Sequence, residues 1–260
     1  MEYFQKSLCS LCLRGGYWAE ASGHGNQGVQ PINNWLFLAG LVALVALVAV
    51  STVRTGRLLQ TWTPPFNPLL SLPENALRLG LIAASVGVGL VFGPGPAALG
   101  WQTAHIGRDL ALGVVFGVAM AGFFALAGRA AVNRWGPEVY DDRVLRCILP
   151  VTRRERPGVA LALLPAAMLE ELLFRSLPLG GLTWLIAPHW LMWPLAVFFG
   201  LLHWPQGGWG VAGTTLAAIV LSLLFLATGS IWPPLAAHYV MNLLQVAVAV
   251  RAGVRSLRSI

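Results

Sequence analysis

Few side chains in this 260-residue chain can do chemistry, and they gather in its second half. Glu170 and Glu171 end the apolar run LALLPAAML, with Arg175 close behind. His203 ends VFFGLL, and His238 lies inside PPLAAHYVMNLL with Asn242 four residues on. A carboxylate with imidazoles can take a proton from water, and imidazole and amide N–H groups can stabilise an oxyanion. Spacing decides which of these share a face. Consecutive helical residues point about 100° apart, so Glu170 and Glu171 are expected not to line one cavity together. Glu171 and Arg175, four apart, are predicted to form an ion pair on one face, leaving Glu170 to project into the interior. Phe199 with His203, and His238 with Asn242, repeat the four-residue spacing. One carboxylate, two imidazoles and one amide from three helices are thereby predicted to meet at one point.

The elements that position these groups must lie in lipid. Hydrophobic residues make up 57% of the chain and charged residues 10%, against about 25% charged in an ordinary soluble domain. So few charges cannot cover a water-facing surface of this size. The predicted fold class is all-α, a polytopic transmembrane helical bundle, because an isolated strand leaves its backbone polar groups unsatisfied in lipid. Seven apolar stretches reach or approach the roughly 17–25 residues that cross a bilayer: 34–53, 76–92, 107–128, 158–174, 184–203, 209–227 and 231–250. The chain then divides into an N-terminal tail (1–33), three transmembrane helices (34–128), a basic loop with room for an interfacial helix (129–157), a core of four transmembrane helices (158–251) and a basic C-terminal tail (252–260). No removable signal peptide is read in residues 1–31.

The net charge of +7 comes from 17 basic residues, all Arg except Lys6, against 10 acidic ones. In a soluble protein that balance suggests nucleic acid; in a membrane protein it marks cytoplasmic loops. Arg54, Arg57 and Arg78 flank the first loop. Arg129, Arg134, Arg143, Arg146, Arg153, Arg154 and Arg156 fill the third, and Arg251, Arg255 and Arg258 follow the last span. Seven crossings put all three basic segments on one side, which predicts an outer N-terminus and a cytoplasmic C-terminus. Gly113, Gly117 and Ala121 form a small-residue stripe for close helix approach, or for dimerisation. Cys9-x-x-Cys12 is half of a zinc or redox site with no second pair, and with Cys147 makes no disulfide scaffold. His189 sits among Trp184, Trp190 and Trp193 in an expected interfacial belt. His24 and His105 fall in loops, and Arg108 with Asp109 reads as an interfacial charge pair.

The polar residues inside the spans resemble the CPBP family of intramembrane proteases, which includes the CAAX prenyl proteases (Rce1-like) and the bacterial Abi proteins. The family's EExxxR, FxxxH and HxxxN motifs are matched by Glu170-Glu171-Leu-Leu-Phe-Arg175, Phe199-Gly-Leu-Leu-His203 and His238-Tyr-Val-Met-Asn242, in order and on consecutive suitable spans. Thr228-Gly-Ser-Ile-Trp-Pro-Pro resembles the family's lead-in to its last motif. The likeness covers roughly residues 158–250; the first three spans match in hydropathy alone. It implies an endopeptidase acting on membrane-anchored proteins or peptides. By that likeness Glu170 and His203 activate water, His238 and Asn242 form the oxyanion hole, and Glu171, Arg175 and Phe199 support them. It also implies a mechanism without a metal cofactor, although one carboxylate and two imidazoles are equally a zinc-type ligand set.

Two other classes compete. A non-catalytic Abi-type immunity or partner-binding protein needs no working Glu170. A proton-coupled transporter would relay protons through Glu170, His203 and His238, but no internal repeat of the kind many transporters show is evident. Other intramembrane protease signatures are absent: there is no HExxH, no GxGD with Tyr140-Asp141 and no GxSG. Nucleic acid is not an expected partner. The expected partners are a bilayer and a membrane-anchored protein or peptide substrate, prenylated or not. On these grounds Glu170→Ala and His203→Ala are each expected to abolish cleavage, with a milder loss for Glu171→Ala.

Overall fold

The structure, a computed structural model, describes residues 30–254 apart from Tyr140. Lys6, the Cys9–Cys12 pair, His24, Arg255 and Arg258 lie outside the described residues, as do most of the two predicted tails. The described chain is helical, with eight α-helices and no strands. These are α1 (Gln30–Thr61), α2 (Leu72–Phe92), α3 (Ile106–Trp135), the short α4 (Arg143–Ile148), α5 (Glu155–Glu171), α6 (Pro188–Leu202), α7 (Gly207–Thr228) and α8 (Trp232–Arg251). A π-helix, Leu172–Gly180, continues α5 without a break. α4 is a helix inside the basic 129–157 segment.

Among the described residues six helices are long and apolar enough to cross a membrane: α1, α2, α3, α5 with its π-helical extension, α7 and α8. The stretch expected to span at 184–203 is shorter. Pro188 opens the helix, and α6 has 15 residues, about 22 Å at 1.5 Å per residue, against a hydrocarbon core of about 30 Å. α6 still follows α1 along most of its length. Trp184, just before it, packs edge-on against Trp35 with ring centroids 5.2 Å apart. At the other end, a Cβ on Gly56 would stand 2.7 Å from the Pro205 ring. The 204–206 turn thus completes what the helix alone does not reach.

Consecutive spanning helices alternate in direction. Val88 of α2 lies against Gly40 of α1, which runs the opposite way. α3 and α8 run parallel and meet along the small-residue stripe. A Cβ added at Gly113 would come within 2.5 Å of the Pro233 carbonyl, and one at Gly117 within 2.6 Å of the Ala237 carbonyl. The stripe is therefore used inside the chain. Leu69, Leu149, Val159, Val246 and Ala249 form one buried cluster, which brings the start of α2, the end of α4, the start of α5 and the end of α8 to one end of the bundle. Arg143 ties the end of α1 to the same place, with Nη1 donating to the carbonyls of Leu59 and Gln60 at 3.4 Å each. Among the described arginines only Arg108 and Arg175 lie away from this basic end. Elsewhere large apolar side chains face outward, among them Leu72, Val115, Leu126 and Leu161, an exposure suited to lipid.

Candidate active site

The chemistry-bearing residues sit where α5 widens. Pro178 lacks an amide N–H, and its ring would crowd the carbonyl one α-turn back. A π-turn, with its longer i→i+5 spacing, accommodates it. Glu170 and Glu171 end the α-helical part, and Arg175 lies within the π-helix. Ser176 anchors this wide turn: its hydroxyl accepts from Trp101 Nε1 at 2.7 Å and donates to the Leu99 carbonyl at 2.8 Å. Sequence reading missed Ser176 and Trp101; the available signal was a lone serine in an apolar run beside the charged triplet.

α8 is set by the turn before it. Gly229 ends α7 in the left-handed region at φ 64°, a conformation glycine adopts without Cβ strain. Ile231 N–H then donates to the Gly100 carbonyl at 2.9 Å, and Pro233 and Pro234 fall in the first turn of α8, where missing amide hydrogens cost nothing. One turn further on, His238 is buried against α5.

Two carboxylates converge on that one imidazole. Glu171 Oε1 accepts from Arg175 Nη1 at 3.0 Å and from His238 Nδ1 at 2.7 Å. On the other edge of the ring, His238 Nε2 lies 3.6 Å from Glu170 Oε2. The predicted Glu171–Arg175 pair is present, but the expected division of faces is not. Glu171 points into the bundle and is fully buried, whereas the Glu170 side chain is 32% exposed. The two carboxylates do diverge around the helix. They still share a partner because an imidazole carries its nitrogens on two different edges, and one ring inserted between diverging side chains faces both.

Phe199 forms the wall of the site. Its ring lies 4.8 Å beneath the Arg175 guanidinium, 4.9 Å from Phe174 and 6.5 Å edge-on from His238. His203 follows one turn later, its ring 4.6 Å from Phe199 and its Nδ1–H donating to the Phe199 carbonyl at 2.8 Å. No ion pair links His203 to either glutamate within 4.0 Å among the described residues. Phe199 stands beside Arg175 and His238, and His203 is about 6 Å nearer the basic end by helical rise, the direction in which α5 also places Glu171 relative to Arg175. Asn242 is likewise one turn along α8 from His238 and is partly buried. The other described histidines and acids lie elsewhere. His189 packs on Trp190 at 5.4 Å. Asp109, buried at the start of α3, accepts from Thr103 and sits 3.6 Å from Arg108.

Among the described residues no three His, Cys, Asp or Glu side chains are grouped to hold a metal ion. His203 is turned to a carbonyl, and a buried guanidinium already neutralises Glu171.

Residues 154–244 match the model of the type II CAAX prenyl endopeptidase Rce1-like family. The family is one of CAAX-type intramembrane proteases. A similar relative is the uncharacterized protein YpbD of Bacillus subtilis, 25% identical over 137 residues, which cover 52% of this chain and 67% of the relative. No solved structure gives a significant match.

Proposed function

We propose that this protein is an intramembrane endopeptidase that hydrolyses peptide bonds of membrane-anchored proteins. The observation that carries the reading is the convergence of Glu170, Glu171, Arg175 and His238 inside the bundle, within the segment that matches a protease family. Ionisable groups are expensive at this depth and are kept for function. Glu170, the more exposed carboxylate, accepts a proton from the attacking water. His203, whose Nδ1–H is committed to a carbonyl, presents its Nε2 lone pair as a second acceptor one turn away. His238 and Asn242, one above the other on α8, receive the oxyanion. Arg175 and Glu171 hold His238, and Phe199 closes the wall. Zinc is assigned no role.

The basic end faces the cytoplasm by the positive-inside rule. At that end a cavity of about 310 Å³ opens beside Arg143, Trp204 and Pro205. It adjoins His203 in sequence, and we assign it to the polar end of an incoming substrate. Substrates are membrane-anchored chains cut near a lipid-embedded segment, either a prenylated C-terminus or an unmodified hydrophobic tail.

The test compares membrane proteins from cells carrying wild-type, Glu170→Gln or His203→Ala protein, read by mass spectrometry of C-termini. Both variants are expected to reach wild-type membrane abundance and to accumulate uncut precursors. Prenyl-cysteine precursors and bare hydrophobic tails are separate outcomes that name the substrate. Normal processing by both variants would defeat the reading, and a preserved cellular phenotype alongside it would favour a non-catalytic partner-binding protein.

A further inference from the structure

We infer that Glu171 is a positioning residue: it keeps the proton of His238 on Nδ1, so that Nε2 faces Glu170 as the atom that takes up and returns the proton of the attacking water. The inference rests on the endopeptidase reading and deepens it.

The geometry constrains where the ring proton sits. Glu171 Oε1 has two partners, Arg175 Nη1 at 3.0 Å and His238 Nδ1 at 2.7 Å. A guanidinium only donates and a carboxylate only accepts, so the bond from the ring requires a hydrogen on Nδ1. The arrangement is rigid. Both Glu171 and Arg175 are buried from solvent, and the Phe199 ring lies under the guanidinium at 4.8 Å. Glu171 Oε2 and Arg175 Nε and Nη2 find no other hydrogen-bond partner among the described residues, so the hold on His238 runs through a single oxygen. On the opposite edge, Nε2 and Glu170 Oε2 stand 3.6 Å apart, beyond direct hydrogen-bond distance. With Nδ1 carrying the hydrogen, these are two facing acceptors with room for one shared proton.

The step balances without a co-reactant. An O–H bond of water breaks as its oxygen bonds to the scissile carbonyl carbon and the C=O π pair moves onto oxygen. The proton goes to Glu170 Oε2 and passes to His238 Nε2. The resulting imidazolium is stabilised by the Glu171 carboxylate behind it, as a buried carboxylate does in other hydrolases, and its new Nε2–H donates to the oxyanion. When the C–N bond breaks, that proton goes to the leaving nitrogen and the ring returns to its Nδ1–H form. His238 thus becomes an oxyanion donor only after it has taken the proton, and Glu171 is what makes the order possible.

The experiment uses the full chain, labelled with ¹⁵N-histidine, in lipid nanodiscs. Signals of His238 are assigned by their loss in His238→Gln. The expected spectrum shows a protonated Nδ1 and an unprotonated Nε2. A resting ring protonated at Nε2, alone or together with Nδ1, would overturn the inference. Glu171→Leu, which removes the acceptor oxygen that a Gln amide would keep, is expected to shift the ring toward the Nε2–H form and to slow processing of the precursors that accumulate with Glu170→Gln by at least about 100-fold, at equal membrane abundance. Wild-type processing with an unchanged tautomer would overturn it as well. If Glu171→Leu does not accumulate, the Glu171→Leu/Arg175→Met double variant, which leaves no unpaired charge, carries the same readings. Normal processing by Glu170→Gln defeats the endopeptidase reading itself; normal processing by Glu171→Leu beside an inactive Glu170→Gln defeats only this inference.

Discussion

At Glu171 and Arg175 two full charges have been taken out of water and given mainly each other and His238. Desolvation of such a pair offsets much of its attraction, so its worth shows when one member is removed. Arg175→Met leaves a buried carboxylate with only an imidazole beside it and is expected to destabilise the protein by about 3–5 kcal/mol. Glu171→Gln/Arg175→Met should recover most of that loss. Thermal unfolding in detergent measures both, and a double variant as unstable as the sum of its singles would show the pair to be uncoupled. The proposed mechanism uses no metal. Cleavage is expected to survive 1,10-phenanthroline at concentrations that strip zinc proteases. Inhibition reversed by added zinc would contradict the assignment.

Individual helices place these residues by close contact as much as by hydrophobicity. α3 carries Gly117 against the Ala237 carbonyl, next to His238. Gly117→Val would push α8 away and is expected to cost about 1–3 kcal/mol, the usual range for overpacking, together with most of the cleavage. On the same helix Gly122 has nothing within 4 Å, so Gly122→Val should be nearly silent in both assays. Equal effects of the two would mean that helix propensity, and not the α3–α8 approach, governs the stripe. The π-helix depends on a hydroxyl. Ser176→Ala leaves Trp101 Nε1 and the Leu99 carbonyl without their partner, a penalty of about 1–3 kcal/mol for buried groups, visible as a lowered unfolding temperature.

Across the whole molecule, alternating helix direction sends the described basic segments to one end. That is the distribution expected if insertion is steered by cytoplasmic arginines. Gln102→Cys, in the turn before α3, is expected to react with a membrane-impermeant maleimide added outside cells, and Gln60→Cys, at the end of α1, only after the membrane is opened. The reverse pattern would invert the orientation and place the cavity beside Trp204 outside. α6 is shorter than its neighbours, and the 204–206 turn carries the chain on to the basic end.

Much of this was legible in the residues alone. Apolar runs of bilayer length, so few charges and arginines confined to certain loops determine an all-helical membrane bundle, because lipid permits little else. The order of Glu170, Glu171, Arg175, His203, His238 and Asn242 likewise picks out the candidate site, and the i,i+4 rule correctly pairs Glu171 with Arg175. Two features were decided only in the folded chain. Glu171 is the buried partner of His238 because helix rotation about α5 depends on what packs around it, which no local spacing records. The π-turn forms because Pro178 meets a loop that Ser176 can hold, a contact between residues 75 and 77 positions apart. Periodicity reports the faces of one helix; depth and rotation between helices belong to the packed bundle.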